Sequence, residues 1–237
     1  ENFVPSMAVL SLPYLFRSEA HKEQVIFGPI GDKMLSDGED LWLKGLCFFE
    51  AGSRCFYLRD KKVETPEDLA GLKIRVMRSY WSIQTINALG ANATPIAFGE
   101  LYTALQQGVV DGAENNIPTF YQARHFEACK YYVIDDHSAP SNMTLISTHS
   151  WQRLSEDEQK WLTMATKDAV AYQRKEWAKA VDETLAKLIA EGIEIVRPDK
   201  TLFQKKVEPL YEKLKQENNP LYPLVEMIRG VKEVGLK

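Results

Sequence analysis

The chain has 237 residues, which is enough for one large domain or two modest ones. Its 45% apolar and 26% charged residues are typical of a globular protein and exclude the disordered and fibrous classes. A formal net charge of -4 gives no electrostatic reason to bind nucleic acid or an anionic membrane. No run of about 18 apolar residues occurs in the sequence, so we expect no membrane insertion.

The first residues, ENFVPSMAVL, contain neither an initiator methionine nor a basic and then apolar leader, which is typical of a processed or truncated product. The three cysteines form an odd number at no metal-ligand spacing, so we expect three small buried apolar side chains: Cys47, Cys55 and Cys129. Cysteine content therefore leaves the cellular compartment open.

Short apolar runs alternate with helical patterns up to about residue 147, which predicts an α/β architecture. The run 45–58 predicts an extended pair, or one long strand, interrupted at 51–53. Thr65, Pro66 and Asp68 form a helix-start pattern. The other predicted elements are strands over 73–77, 93–98, 130–134 and 143–147, and helices over about 80–89 and 99–108.

A much longer helix is predicted in the last third of the chain. It begins after Ser155, where Glu158 completes a capping box, and its apolar residues keep a helical period up to Gly192. Such a helix has about 35 residues and a length of about 50 Å. Because most globular helices are shorter, we expect it to connect two bodies. A strand over 193–196 and a further helix follow, the latter carrying Phe203, Val207, Leu210 and Leu214.

We interpret these elements as two α/β lobes connected by the long helix and by chain crossings near 51–53 and 137–142. Lobe I comprises 1–52 plus 141–179, and lobe II comprises 53–140 plus 180–237. A chain that crosses repeatedly between lobes is typical of proteins that close around a ligand by a hinge motion. The ligand is then expected in the cleft between the lobes.

Common catalytic and nucleotide-binding motifs are absent from the sequence, including G-x-S-x-G, H-E-x-x-H and G-x-x-x-x-G-K-[ST]. Glu100 and Glu114 could form a carboxylate pair, but a helix start alone explains Glu100. The four histidines have no paired spacing, and we expect each at the surface or at a helix cap: His21, His125, His137 and His149. We therefore expect no metal, no cofactor and no enzyme.

Three polar residues adjoin backbone that is predicted to be buried: Arg54, Arg75 and Asn115. Each has a simple alternative, namely an edge-strand charge, a solvent-facing strand residue and a turn residue. Together they suggest an anion site, because two guanidinium groups and an amide can satisfy a carboxylate. Three charge-assisted hydrogen bonds of roughly 1.5–3 kcal/mol each would give about micromolar affinity.

The segment from "GSR" through "TPEDLAGLKIRVM" to "LYTALQQGVVDGAEN" resembles the solute-binding proteins of tripartite ATP-independent periplasmic (TRAP) transporters. The similarity continues through "LPYLF", "KYYVIDDH" and "STHSWQRLSEDEQKWL". The resemblance implies a two-lobe (type II-like) periplasmic binding protein with a long bridging helix, which passes a small organic acid to a membrane permease. Members of the family carry an opening section before "LPYLF", so we expect this chain to be truncated at its N-terminus.

The resemblance also implies the roles of five residues. Arg75 would be the main carboxylate anchor, assisted by Arg54 and Asn115, while Met77 and Phe98 would shape the pocket. Met77 and the "GAENN" segment are similar to those of members that bind sugar acids such as hexuronates. A C4-dicarboxylate or keto acid is the alternative ligand. An enzyme acting on a sugar acid and a signalling ectodomain remain as further hypotheses.

Overall fold

The computed structural model describes residues 3–232, which form a mixed α/β structure with two separate sheets. The smaller sheet pairs β1 (Leu43–Glu50) with β7 (Ser141–Ser147) in antiparallel orientation. The larger sheet has the order β4-β3-β5-β2-β6-β8. Its strands are β2 (Arg54–Leu58), β3 (Lys73–Val76), β4 (Asn92–Pro95), β5 (Gly112–Asn115), β6 (Tyr131–Ser138) and β8 (Glu194–Val196).

Nine α-helices and four short 3₁₀ helices surround the sheets within this range. The α-helices are α1 (Glu19–Ile26), α2 (Pro29–Ser36), α3 (Tyr80–Ala88), α4 (Phe98–Gln106), α5 (Ile117–Gln122), α6 (Thr148–Gln152), α7 (Glu156–Ala190), α8 (Lys200–Gln216) and α9 (Tyr222–Gly230). The 3₁₀ helices are Pro5–Ser11, Glu39–Leu41, Pro66–Leu69 and His125–Glu127. None of these described helices has both the length and the apolar character needed to cross a membrane.

Most predicted elements of the chain are confirmed. The long helix α7 has 35 residues and begins with the expected capping box between Ser155 and Glu158. The run 45–58 forms two strands separated at 51–53. One predicted strand is shorter than expected, because β4 ends at Pro95 and Phe98 begins α4. β4 is an edge strand, where the missing amide proton of a proline is tolerated.

The larger sheet is covered on both faces, and this decides the orientation of Arg75. Ile74 and Val76 belong to an apolar cluster with Phe56 and with residues of α3 and α8. The opposite face carries Tyr57 and Ala113 and packs against α4 and α5. Arg75 alternates onto this second face and is only 3% exposed. Alternation alone allowed a solvent-facing arginine, but a sheet between two helical layers leaves no such face.

A third apolar cluster surrounds the smaller sheet. It joins Phe48 of β1 with side chains of the first 3₁₀ helix, α1, α2 and α9, among them Val9, Val25, Met34 and Val225. The predicted lobe boundaries at 52/53, 140/141 and 179/180 remain a prediction. The helix α9, which the prediction assigns to lobe II, packs in the same apolar cluster as Val9 and Leu10 of the first 3₁₀ helix, which it assigns to lobe I.

The first crossing between the sheets, near 51–53, is fixed by side chains from α1 and from α7. The Glu50 carboxylate accepts the backbone N–H groups of Ala51 and Gly52 and pairs with Lys22 of α1 at 2.6 Å. The Gln173 side chain of α7 bonds both the N–H and the carbonyl of Glu50, at 3.1 and 2.9 Å. The long helix is therefore fixed to the crossing by two hydrogen bonds.

Gly52 at this crossing provides a test of the packing against α7. It has a positive φ of 69°, and an added Cβ would lie 3.0 Å from the indole of Trp177. Gly192 also has a positive φ, 85°, but a Cβ there would meet nothing. We expect Gly192→Ala to lower the free energy of unfolding by about 1 kcal/mol. Gly52→Ala should cost at least about 1 kcal/mol more, because the indole must move. Equal losses in urea unfolding would contradict this assignment.

Candidate functional site

Three neighbouring strands of the larger sheet, β3, β5 and β2, begin or end side by side. This row of strand ends forms one edge of the sheet, perpendicular to its outermost strands. β3 and β5 are parallel, with Arg75 in register with Ala113, whereas β2 is antiparallel to β5, with Cys55 opposite Asn115. The carboxyl ends of β3 and β5 therefore meet the amino end of β2. This arrangement brings Arg54, Arg75 and Asn115 to the same edge, at the position where open α/β sheets commonly bind ligands.

Arg54 is bound to the buried carboxylate of Glu114. Its Nε and Nη2 donate to the two carboxylate oxygens, Nη2 also donates to the Glu114 carbonyl at 2.9 Å, and Nη1 donates to Asn115 Oδ1 at 3.2 Å. Four of the five guanidinium N–H groups thus have acceptors, which leaves one for a ligand. Arg54 lies on a central strand of the sheet and not on the edge strand of its alternative interpretation.

The amide of Asn115 has a defined orientation. Its Oδ1 accepts from Arg54 and from the backbone N–H of Asn116 at 2.9 Å, so the Nδ2 group is the free end of the side chain. No acceptor for Nδ2 exists among residues 3–232, and this nitrogen is not fully enclosed. Asn115 is the last residue of β5, not a turn residue, and it presents a hydrogen-bond donor at the edge of the sheet.

Arg75 differs from Arg54 because its two terminal nitrogens are unused. Nε donates to the Ile96 carbonyl at 2.8 Å, which fixes the side chain. Within the described part of the chain, Nη1 and Nη2 have no acceptor, although neither is fully enclosed. Burial lowers the pKa of Arg75, but a guanidinium keeps its proton under all ordinary conditions. The Arg75 guanidinium is therefore positively charged, fixed by one hydrogen bond, and has four N–H groups without an acceptor in the described part of the chain.

The two residues predicted to shape the pocket adjoin the arginines. The Phe98 ring centroid lies 5.9 Å from Arg75 Cζ, and this side chain is 49% exposed. Met77 is 38% exposed and lines a small cavity of about 30 Å³ together with Arg54 and Glu114. The structure thus pairs Arg75 with Phe98 and Arg54 with Asn115, and Met77 lines the same small cavity as Arg54.

Buried charges extend beyond the five predicted residues. His137 Nδ1 lies 2.9 Å from Asp135 Oδ2, and its Nε2 lies 3.6 Å from Glu114 Oε2. Although burial opposes protonation, these two carboxylates raise the pKa of His137 to about 9. Burial raises the pKa of Glu114, but the charge of Arg54 and the hydrogen bonds from His137 and Arg54 outweigh it and lower the pKa to about 2. Both groups are therefore charged at neutral pH.

The expectation that every histidine lies at the surface or at a helix cap is wrong for His125 and His137, which are at most 2% exposed. His21 is buried too, but its Nδ1 accepts the backbone N–H of Arg17 at the start of α1, which is a capping contact. Sequence reasoning missed the burial of His125 and His137 because Tyr57 is 68 positions from His125, and Glu114 lies on a different strand from His137. The polar end of the run "YYVIDDHS" was the one available signal, since a largely buried strand that ends in four polar residues requires partners for them. Glu114 was considered, but its pairing with Arg54 was not.

A larger cavity of about 570 Å³ lies between α7 and the first crossing. Its lining carries five acidic side chains but only two basic ones: Glu19, Glu23, Glu50, Asp136 and Asp182 against Arg174 and Arg197. This excess of acidic groups disfavours an anionic ligand. The edge with Arg75 and Asn115 is the better candidate for an anion site, because donors without acceptors converge there.

Known proteins share both this fold and this sequence. The family model "Bacterial extracellular solute-binding protein, family 7" matches residues 1–218. A solute-binding protein of Chromohalobacter salexigens is 37% identical over 227 residues, which are 95% of this chain and 68% of that protein. The chain belongs to this family of solute-binding proteins.

Two solved structures of TRAP periplasmic solute-binding proteins share this fold. A TRAP periplasmic solute-binding protein from Chromohalobacter salexigens with bound D-glucuronate has a TM-score of 0.92 and 37% identity, and the match covers 96% of this chain and 76% of that one. A second, from Xanthobacter autotrophicus with bound β-D-galacturonate, has a TM-score of 0.89 and 37% identity, with 98% and 77% covered. The predicted two-lobe fold and TRAP family are confirmed.

The charge of His137 predicts how stability depends on pH. Its pKa is higher in the folded state than the ordinary value of about 6.5, so its contribution is complete below pH 6.5 and is lost as pH rises through about 9. We expect the free energy of unfolding to fall by up to about 3 kcal/mol over this interval. In His137→Gln this part of the decline should disappear in urea titrations at pH 6.5, 7.5 and 9. The same slope in both proteins would contradict the assignment.

Proposed function

We propose that this protein captures a hexuronate in the periplasm and delivers it to the membrane permease of a TRAP transporter. The observation that carries the proposal is the free guanidinium fork of Arg75, held by Ile96 at a nearly buried position. Such a fork matches the two oxygens of a carboxylate. Family membership supports the transport role, and the periplasm is the compartment named for the two similar structures.

The buried charges favour a ligand with one carboxylate. Arg54 and His137 are balanced by Glu114 and Asp135, so the charge of Arg75 remains uncompensated in this group. A monoanion would neutralise it, whereas a dicarboxylate would bring a second charge into a partly desolvated site at a considerable cost. The single uncompensated charge therefore favours a sugar monoacid over the C4-dicarboxylate alternative. The glucuronate and galacturonate of the two similar structures are consistent with it.

Each of the five predicted residues receives a role in this proposal. Arg75 binds the carboxylate with Nη1 and Nη2. Asn115 Nδ2 and the remaining N–H of Arg54 donate to further ligand oxygens. Phe98 offers an apolar surface to the C–H face of the sugar, and Met77 limits the pocket beside Arg54. Arg54 also acts indirectly, since it holds the Asn115 amide with its donor end free.

Binding without turnover is part of the same proposal. A hydrolase, lyase or isomerase needs a general base that is free to accept a proton near neutral pH. Glu114 is held by Arg54, and its pKa of about 2 makes it a poor base. His137 keeps its proton, because its pKa is raised to about 9. Nuclear magnetic resonance of a uronate incubated with the protein should therefore show no product, and any turnover would favour an enzyme.

A thermal-shift panel tests the ligand class. At a ligand concentration of about 100 times the dissociation constant, a bound ligand stabilises the folded state by about 2.7 kcal/mol. We expect D-glucuronate or D-galacturonate to raise the Tm of the full-length protein by roughly 5–10 °C. Glucose, which lacks the carboxylate, and succinate, which carries two, are the controls. No shift with any uronate, or a larger shift with succinate, would contradict the proposal.

Substitution of Arg75 tests the anchor. Arg75→Ala removes the two charge-assisted hydrogen bonds to the carboxylate, and Arg75→Lys keeps the charge but loses the fork. By calorimetry, we expect the alanine variant to bind uronate at least about 100-fold more weakly and the lysine variant to lie between it and the wild type. Arg153→Ala, at an exposed position after α6, removes the same charge as a control and should bind normally. Normal binding by Arg75→Ala would refute the anchor.

A further inference from the structure

His125 lies in the wall beside the proposed acid site, at the start of a short 3₁₀ helix that follows α5. It is 1% exposed. Its imidazole stacks on the Tyr57 ring at 5.6 Å and meets the Phe98 ring edge-on at 5.7 Å. Phe98 also contacts Arg75, so the imidazole and the guanidinium share one aromatic neighbour. A buried imidazole at this place has no role in the proposed carboxylate clamp.

The hydrogen bond between His125 and Tyr57 defines which ring nitrogen carries the proton. Tyr57 Oη lies 2.9 Å from His125 Nδ1. If Nδ1 were the donor, the Tyr57 hydroxyl proton would need another acceptor, and residues 3–232 offer none to this fully buried phenol. If the hydroxyl donates to Nδ1, both groups are satisfied, and the imidazole proton lies on Nε2. Burial raises the pKa of Tyr57 well above its ordinary value, so the phenol keeps the proton that it donates.

Burial, together with the charge of Arg75, keeps the imidazole of His125 neutral. Burial and this neighbouring cation lower the pKa of His125 to about 4. His125 consequently differs from His137, which lies between two carboxylates and is charged. The wall of the site therefore contains a neutral donor next to a cationic one.

His125 Nε2 has no acceptor among the described residues, and it is not one of the fully enclosed polar atoms. It resembles Arg75 Nη1 and Nη2 and Asn115 Nδ2 in this respect. We propose that His125 is a further ligand-binding residue, whose Nε2–H donates a hydrogen bond to a hydroxyl or carboxylate oxygen of the bound sugar acid. The inference rests on the proposed function, because it assumes that the acid lies between Arg75 and Phe98.

The neutral state of this donor has a chemical consequence. A cation at this position would attract a second carboxylate, whereas a neutral N–H suits the neutral hydroxyl oxygens of a sugar. Sites that provide a fixed donor to a ligand oxygen discriminate strongly against ligands that lack this oxygen. His125 would therefore add selectivity for hydroxylated acids over simple alkyl acids, and Tyr57 would act as the positioning residue that sets its tautomer.

Two substitutions at position 125 separate the donor from the shape of the ring. His125→Phe retains an aromatic ring but removes the nitrogen, and we expect at least tenfold weaker binding of D-glucuronate by calorimetry. His125→Gln can place an amide N–H near the position of Nε2, and it should bind within about threefold of the wild type. Tyr57→Phe should weaken binding less than His125→Phe, because only the control of the tautomer is lost. Equal affinity of His125→Phe and wild type would overturn the inference.

A measurement on the unmodified protein keeps the test decisive if a variant fails to fold. In ¹⁵N-labelled protein, His125 should show the neutral Nε2–H tautomer, and its Nε2 resonance should shift when D-glucuronate is added. A neutral Nδ1–H tautomer, or a resonance that ligand leaves unchanged, would overturn the inference. If wild type binds no uronate at all, the proposed function fails first. If the wild type binds uronate but the His125 Nε2 resonance does not shift, only the proposed role of His125 is refuted.

Discussion

Arg54 and Glu114 approach each other from neighbouring strands although they lie 60 residues apart in the sequence, and their charges compensate inside the sheet. Removing one partner of such a buried pair leaves an uncompensated charge, which typically costs about 3–5 kcal/mol. The pair also fixes the Asn115 amide through Arg54 Nη1. It thus determines both the charge that remains for a ligand and the direction of one donor.

The contrast between the two arginines follows from their strands. Arg54 begins β2 and reaches Glu114 on the adjacent β5. Arg75 lies on β3, and its protein acceptor is the carbonyl of Ile96. Arg54 consequently uses most of its N–H groups for hydrogen bonds within the protein, while Arg75 keeps four N–H groups for a ligand. Two residues of the same type, in the same sheet, serve different ends because only one of them faces a carboxylate.

Local patterns in the sequence were sufficient for most of the fold. The capping box at Ser155 and the helical period after it predicted α7 within a few residues, because both signals depend on neighbours three or four positions apart. The strand containing Arg75 was also predicted from its own residues. Its burial was not, since the cover on its second face comes from α4 and α5, whose packing no strand pattern reveals.

The polar contacts of the site were the harder part. Family resemblance indicated the five candidate residues, but it did not predict that Arg54 and Glu114 would pair or that His125 and His137 would be buried. The pairing of Arg54 with Glu114 and of His125 with Tyr57 joins residues 60 and 68 positions apart on different segments. The opposite charge states of the two imidazoles depend on whether carboxylates or a guanidinium adjoin them, and composition contains no information about this.

The fixation of Glu50 has a mechanical consequence for the connection between the two sheets. Its carboxylate, its N–H and its carbonyl all have partners, and these come from α1, from α7 and from the next two residues. Backbone rotation at this crossing is therefore confined to the few bonds after Glu50, where Gly52 already occupies a conformation that other residues avoid. The connection after Glu50 therefore has few rotatable backbone bonds and a defined conformation, unlike a flexible linker.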